Sequence, residues 1–334
     1  MDSRMDSRAM WFAGPRTVEL RPQPIDAPAA GQVLVRTEFS GISGGTELLA
    51  YRGELDPELP LDETIGALGG TFAYPFRYGY SCVGTVAESR AGLAAGQRVF
   101  AFQPHAEAFV ADADAVLPID GVDARQATMF PLVETALQVT LDAGPRLGET
   151  VVVYGFGAVG LLTALLTRRA GAHVLGVDVA PWRRELGSRL GIEAVAPEEL
   201  PELLGTGGRP DRVGLAIEAS GNPAALAGAL GVLAHEGVAL VASWYGTKPV
   251  PLPLGGDFHR RRLTIRSTQV STIPARLSDR WDAPRRRAAA LDLLGQLPLD
   301  ALATHTFPFA RAADAYAAID GREHGLMHAA LGYS

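Results

Sequence analysis

The sequence predicts an α/β fold, a doubly wound parallel sheet joined to a compact, mostly β domain, and three observations carry that expectation. Segment 151–160, VVVYGFGAVG, is an apolar run that enters a G-x-G-x-x-G turn. The residues after it follow a helical pattern at 161–166 and then form a second apolar run, 172–178, that ends on Asp178. Upstream, short β-rich runs are broken by proline and glycine; downstream, β and α runs alternate, which is the order of a sheet wound on both faces.

Along the chain, the first ten residues read MDSRMDSRAM, and this repeat is set aside from the fold as an alternative start or an appended scar. Residues 9–125 hold β-rich runs at 17–20, 32–39, 82–88, 97–102 and 106–111, separated by turn residues, and form the first domain. At 126–143 the pattern becomes helical. Strands follow at 151–154 and 172–178, and then a strand at 212–219, a helix at 223–234 and strands at 238–243 and 263–268. These bound a nucleotide domain of 126–270. Residues 271–334, with a helix at 283–294 and a strand near 329–332, return to the first domain.

Composition narrows the function. The 334 residues are 47% hydrophobic with a formal net charge of -7, enough for two packed domains and too acidic for a nucleic-acid binder. The one cysteine, Cys82, excludes an intramolecular disulfide and a cysteine-built structural zinc cluster, and it fits a reducing cytoplasm. No stretch reaches the ~18 apolar residues of a membrane span, and the polar N-terminus lacks the apolar core of a signal peptide. The expectation is a soluble, cytoplasmic protein with a small-molecule substrate and neither nucleic-acid nor membrane partners.

The glycine turn gives the cofactor. Gly155 permits the tight turn, Gly157 lets the backbone approach a pyrophosphate, and Gly160 lets the helix pack on the strand; Phe156, Ala158 and Val159 complete the loop. Asp178, about 20 residues on, is placed to accept both ribose hydroxyls and to repel a 2′-phosphate, which favours NAD over NADP. Arg183 and Arg184 complicate that choice. An arginine there can stack on adenine or pair with a 2′-phosphate, or it can be a solvated helix start.

The order of a β-rich domain, a nucleotide domain and a return segment resembles the medium-chain dehydrogenase/reductase superfamily over essentially the whole chain. The matching phrases are SGISGGTELLAYRG at 40–53, GYSCVGTV at 79–86 and AIEASGNPAAL at 216–226. More narrowly, VETAL at 133–137, SWYG at 243–246 and GGDFHRRRL at 255–263 are similar to a branch often labelled zinc-binding alcohol dehydrogenases. The resemblance implies a GroES-like first domain and a Rossmann second domain. It also shows where this chain departs: Ser43, Tyr80, Ser81 and Phe130 stand where that family places its zinc ligands, and the four-cysteine lobe is missing. Neutral hydroxyls and a phenyl ring do not make the anionic N/S site that zinc prefers, so no zinc is expected.

Without the metal, a proton donor or acceptor has to stand beside the nicotinamide. Tyr80 is the first candidate, by its motif position; the alternative is that it fills the vacated volume. Ser43 and Thr46 are candidates for binding a substrate oxygen or a relay water, although such residues in Gly-rich turns also bond their own backbone. Glu134 and Thr135 begin the helix that the resemblance passes beneath the nicotinamide; Glu134 is a candidate base, or a group that holds the nicotinamide amide or a substrate hydroxyl, or simply an acid that offsets the helix dipole. His105 is a candidate proton relay. Trp244 and Tyr245 are placed to wall the nicotinamide or to pack in the core. The basic run His259 to Arg262 is an anion site or a solvated, subunit-facing edge. The last Rossmann strand, 263–268, is expected to pair with its copy in a homodimer, since an uncovered edge is a liability.

These residues point to zinc-independent, NAD(P)-linked interconversion of a secondary alcohol and a ketone on a small or specialised-metabolite substrate. Two alternatives stay open: NADPH-dependent reduction of a conjugated C=C bond, of the enoyl or quinone reductase type, and a non-catalytic nucleotide-binding protein.

Overall fold

The computed structural model describes residues 5–206 and 213–333. The first four residues of the N-terminal repeat, Arg212 at the head of an expected strand and the terminal Ser334 lie outside the described residues. The chain forms two compact units, one from residues up to 131 together with 294 onward, the other from 132–293. The expected boundaries were 125/126 and 270/271. Residues 126–131 stay with the first unit because the short helix there packs on its sheet, and 271–293 stay with the second because their helix is ion-paired to it.

The first unit begins with a hairpin of β1 (Arg8–Gly14) and β2 (Thr17–Pro22), which pair antiparallel. The 11-residue strand β3 (Gln32–Ile42) follows, then helix α1 (Thr46–Arg52), strands β4 (Cys82–Ser89), β5 (Arg98–Ala101), β6 (Ala108–Asp112) and β7 (Val116–Pro118), and helix α2 (Ala124–Ala127). Strand β3 is the spine: it pairs antiparallel with both β4 and β6. Its inward residues Val33 and Val35 are fully buried with Cys82 and Val99. A second, aromatic core forms around α1, where Phe12 stacks on Phe76 at 5.3 Å and meets Tyr316 edge-on at 5.4 Å, the offset and edge geometries that ring quadrupoles favour.

Helix α3 (Phe130–Ala143) leads into the second unit. There strands and helices alternate as β8 (Thr150–Tyr154), α4 (Ala158–Arg169), β9 (His173–Val177), α5 (Pro181–Arg189), β10 (Glu193–Val195), α6 (Leu200–Thr206), β11 (Val213–Glu218), α7 (Pro223–Val232), β12 (Leu233–Val241), β13 (Thr264–Ser267) and α8 (Ala283–Leu294). Every pairing is parallel, in the order β10-β9-β8-β11-β12-β13, which is the doubly wound dinucleotide-binding order with its reversal between β8 and β11. All five residues of β8 are buried, as expected of a parallel strand covered on both faces. Local chemistry sets the helix starts. Pro223 occupies the first turn of α7 and the Asn222 side chain caps it through Ala224 N–H at 3.0 Å. Strand β12 begins at Leu233 rather than at 238, because Leu233 is fully buried and pairs with Val213.

Beyond α8 the chain returns to the first unit as β14 (His305–Pro308), α9 (Ala312–Asp320) and β15 (Ala329–Gly332). Strand β15 runs antiparallel to β3 and parallel to β14, completing a seven-stranded sheet.

Just before β15, His328 is buried, with Nε2 3.1 Å from Thr128 Oγ1, and burial drives its imidazole down to about 4. The folded form therefore refuses a proton that the unfolded chain accepts below about 6.5. Stability is expected to fall as the pH drops from about 6.5 to about 4, by on the order of 3 kcal/mol, and to lose nothing further from this group below that. Denaturant unfolding from pH 7 to 4 should show a shallower decline for His328→Gln than for the wild type; parallel curves would rule this origin out.

Candidate active site

The strand reversal between β8 and β11 opens a crevice at the carboxyl ends of the two strands, where open α/β sheets bind ligands. Gly155 has φ +90, and a Cβ there would stand 2.6 Å from Ser220 in the loop after β11. A Cβ on Gly160 would lie 1.8 Å from the Gly155 carbonyl oxygen, so the first turn of α4 closes on the strand end only with glycine. Around Gly157 the space is open, with nothing within 4 Å of an added Cβ. Gly157 is also the N-cap of α4, and no side chain bonds the helix start. Ala158 and Val159 are partly exposed, which leaves first-turn N–H groups aimed at the space where a pyrophosphate would bind. The Phe156 ring is fully buried, wedged where a Cβ on Gly176 or Gly187 would come within 1.9 and 2.5 Å. It shapes the loop from beneath, so Phe156 offers the site its backbone alone.

Asp178 sits directly after β9, 6% exposed. The sequence placed it as a free acceptor for ribose hydroxyls, and the structure gives it a second duty. Its Oδ2 accepts Phe156 N–H at 2.7 Å and its Oδ1 accepts Ala180 N–H at 2.8 Å. Each carboxylate oxygen keeps a second lone pair, so acceptor capacity for a ribose remains. Arg183 Nη1 lies 3.8 Å from the same Oδ2, with its guanidinium over Trp182 at 5.0 Å. Arg184 turns back to the carbonyls of Asp178 and Val179, at 2.8 and 3.2 Å.

Glu218, at the end of β11, escaped the sequence reading. Its carboxylate is fully buried. It accepts Ser220 N–H at 2.7 Å, Ser220 O–H at 2.6 Å and Gly221 N–H at 3.1 Å, while Oε2 takes the Tyr245 hydroxyl at 2.7 Å. Burial and the Glu218 charge push the Tyr245 phenol up. Tyr245 thus packs against the core with its oxygen tied down, whereas Trp244 is 43% exposed. The signal available in the sequence was an acid closing a buried strand two residues before a Ser-Gly-Asn turn.

On α3, Glu134 is buried and its Oε1 accepts from Arg286 Nε of α8 at 3.0 Å, with Arg287 Nε at 3.8 Å. Gln138 takes Arg286 Nη1 at 2.7 Å. Burial raises the Glu134 carboxyl, and the two arginines oppose that rise. Neither the free-base nor the helix-dipole reading of Glu134 anticipates this buried ion pair, which forms because Arg286 points inward from α8. Thr135 beside it is partly exposed. In the basic run His259 to Arg262, Arg261 donates to the Leu233 carbonyl at 2.9 Å and Arg262 pairs with Glu236 at 3.1 Å.

The first unit gathers the remaining candidates. Ser43 is buried before α1, Thr46 opens the helix, and the hydroxyls of both act on the Tyr80 phenol in favour of its ionised form. Burial first, and the nearby Glu47 charge second, push that phenol up to about 12. His105 is fully enclosed, with Nδ1 2.7 Å from Ser40 Oγ and Nε2 2.9 Å from Glu47 Oε2, so its loop turns it into the interior. At the other positions where the resemblance expects zinc ligands, Ser81 Oγ donates to the Thr128 carbonyl at 2.6 Å and Phe130 packs on Phe100 with centroids 4.7 Å apart. These residues do not fit a zinc ion. Among the described residues no group of three or more His, Cys, Asp or Glu is placed to hold a metal, and no helix is long and apolar enough to cross a membrane.

A parallel 3-2-1-4-5-6 sheet with a glycine-rich first turn and an acid after the second strand is the arrangement of a Rossmann domain. Residues 158–283 match the family model described as zinc-binding dehydrogenase. The 2-desacetyl-2-hydroxyethyl bacteriochlorophyllide A dehydrogenase of Cereibacter sphaeroides is 28% identical over 337 residues, 94% of each chain. Among solved structures, an alcohol dehydrogenase (rspB) from Escherichia coli CFT073 complexed with NADH superimposes with TM-score 0.78 at 20% identity, over 98% of this chain and 99% of that one. The quinone oxidoreductase of Thermus thermophilus, solved also with NADPH, does so with TM-score 0.70 at 26% identity, over 97% and 99%. Over residues 158–283 the chain is thus similar to the zinc-binding dehydrogenases, and over nearly its whole length it shares the fold of these medium-chain dehydrogenase/reductase structures.

Proposed function

We propose that the protein interconverts a secondary alcohol and a ketone on a small or specialised-metabolite substrate, using NAD and no zinc. The observation that carries this is that the hydroxyls of Ser43 and Tyr80, with Thr46 beside them, stand at or next to positions where relatives of the zinc type are expected to bind metal. Bound NAD would supply the hydride acceptor. The α4 N-terminus and the 155–160 loop would hold its pyrophosphate, Asp178 its adenine-side ribose, and Thr135 and Trp244 the nicotinamide side. Tyr80 would handle the proton. A phenol held near 12 is protonated at every working pH, so Tyr80 suits donation to a carbonyl oxygen better than proton abstraction. The Cereibacter relative, whose name specifies a hydroxyethyl substrate, supports the alcohol reading. A lone cysteine supports a cytoplasmic setting. We place a second copy of the chain at β13, which lies at the edge of its sheet; sedimentation as a monomer at micromolar concentration would exclude that dimer.

A second reading, reduction of a conjugated C=C bond with NADPH, draws on the Thermus neighbour and on Arg183 beside Asp178, where it can meet a 2′-phosphate.

The alcohol reading is tested by turnover with alcohols, ketones and enones. Activity is expected to survive chelation, with well under one zinc per chain by elemental analysis; chelator-sensitive turnover with bound zinc would refute it. Tyr80→Phe is expected to lower carbonyl reduction roughly a hundredfold or more. In the oxidation direction the wild-type rate should climb with pH toward 12, since only the ionised phenol accepts a proton, and Tyr80→Phe should lose that climb.

The cofactor choice rests on one carboxylate. Asp178→Ala removes the ribose acceptor together with the repulsion of a 2′-phosphate, so NAD affinity should fall by about tenfold to a hundredfold while NADP affinity holds or improves. It also strips the acceptor from Phe156 N–H, so the melting temperature should drop with it. A wild-type protein that prefers NADP in titration would move the C=C reading ahead.

A further inference from the structure

Among the described residues of the first unit, Glu47 is the one acidic side chain that is fully buried. Three groups converge on it, one from its own turn and two from distant parts of the chain. Ser43 N–H donates to Oε1 at 2.8 Å, the Tyr316 hydroxyl of α9 donates to Oε2, and His105 Nε2 stands 2.9 Å from Oε2. A carboxylate is acceptor-only, which assigns the His105 proton to Nε2. His105 Nδ1 then accepts from Ser40 Oγ at 2.7 Å, and Ser40 accepts from the Tyr333 hydroxyl at 2.8 Å. Every donor in the series Tyr333, Ser40, His105 points toward Glu47. A buried charge is costly unless paired and fully hydrogen-bonded, and here Ser43, Tyr316, His105, Ser40 and Tyr333 are all committed to holding one carboxylate in one place.

That place is next to the candidate proton donor. Glu47 follows Thr46 directly, and its bond to Ser43 N–H closes the turn that carries the two hydroxyls acting on Tyr80. We propose that Glu47 is a positioning residue for Tyr80: its carboxylate, bonded to Ser43 N–H and held in turn by His105 and Tyr316, fixes the Ser43–Thr46 turn against the phenol. The inference rests on Tyr80 as the proton donor of the proposed reaction. The groups facing Tyr80 are Glu47 from α1, Asp62 from the loop before β4, the hydroxyls of Ser43 and Thr46, and the Tyr78 and Tyr316 phenols, which burial keeps neutral. After burial itself, the Glu47 charge acts most strongly on Tyr80; Asp62 acts in the same sense and the two hydroxyls in the opposite one.

The test is the tyrosinate absorbance of Tyr80, isolated as the difference between each protein and its Tyr80→Phe counterpart, with no substrate present. Glu47→Gln keeps the size and the acceptor for Ser43 N–H but removes the charge, and it should lower the Tyr80 midpoint by about one pH unit. Glu47→Asp, which keeps the charge, should restore most of it. Tyr316→Phe is the second variant, for the case that Glu47→Gln does not fold: with one donor withdrawn, the carboxylate should hold the phenolic proton more firmly and move the midpoint up. An unchanged midpoint in a folded Glu47→Gln protein, or in Tyr316→Phe where Glu47→Gln fails to fold, overturns the proposal. Because this titration is read without turnover, its failure is separate from that of the catalytic reading, which falls if Tyr80→Phe retains full activity.

Discussion

The second unit depends on the contact at Gly160, where α4 begins so close to the end of β8 that a single methyl group would overlap the Gly155 carbonyl oxygen. That approach brings the helix start against the strand end and leaves its first N–H groups facing the crevice. It also presses the turn onto Ser220, which ties the loop after β8 to the loop after β11. Asp178 and Glu218 then lock the arrangement from either side, one through Phe156 N–H and the other through Ser220 and Gly221. The geometry of a phosphate cradle is thus set by packing and backbone hydrogen bonds before any ligand arrives, the preorganisation that limits the entropy lost on binding.

Buried carboxylates recur as the joints of this molecule. Glu47, Glu134, Asp178 and Glu218 are each removed from water, and each accepts from backbone N–H groups, a guanidinium or a phenol. Breaking such a site by removing one partner leaves an uncompensated charge, which costs far more than the bond itself contributes. Glu47, Glu134 and Glu218 are therefore scaffolding, whereas Asp178 keeps acceptor capacity beside the two backbone bonds it makes.

The sequence made the second unit legible because its physics is local. A buried parallel strand is a continuous apolar run, a glycine turn has fixed spacing, and the helix Ala283–Leu294 carried its own limits, as did the strand Ala329–Gly332 in the first unit. The candidate site was legible where a motif fixes a position, as for Gly155 or Tyr80. It was illegible where burial decides the role. Nothing near Arg286 in the chain announces that it faces Glu134, 152 residues away, while Arg285 beside it is exposed. His105 and Glu47 are 58 residues apart and Tyr316 and Glu47 are 269 apart, so their convergence exists only once the sheet has formed.

The return of the chain through β14 and β15 has a consequence for biosynthesis. The middle of the first unit's sheet is built in two instalments, with the complete second unit made between them: β3 emerges early and waits for β15. Until residue 329 has left the ribosome, β3 keeps one edge bare at its carboxyl end, and Glu47 lacks the hydroxyl of Tyr316. The nucleotide-binding unit needs no such delay, since all six of its strands come from one uninterrupted stretch. The order of synthesis thus favours a chain that gains its cofactor cradle first and seals the charge beneath Tyr80 last.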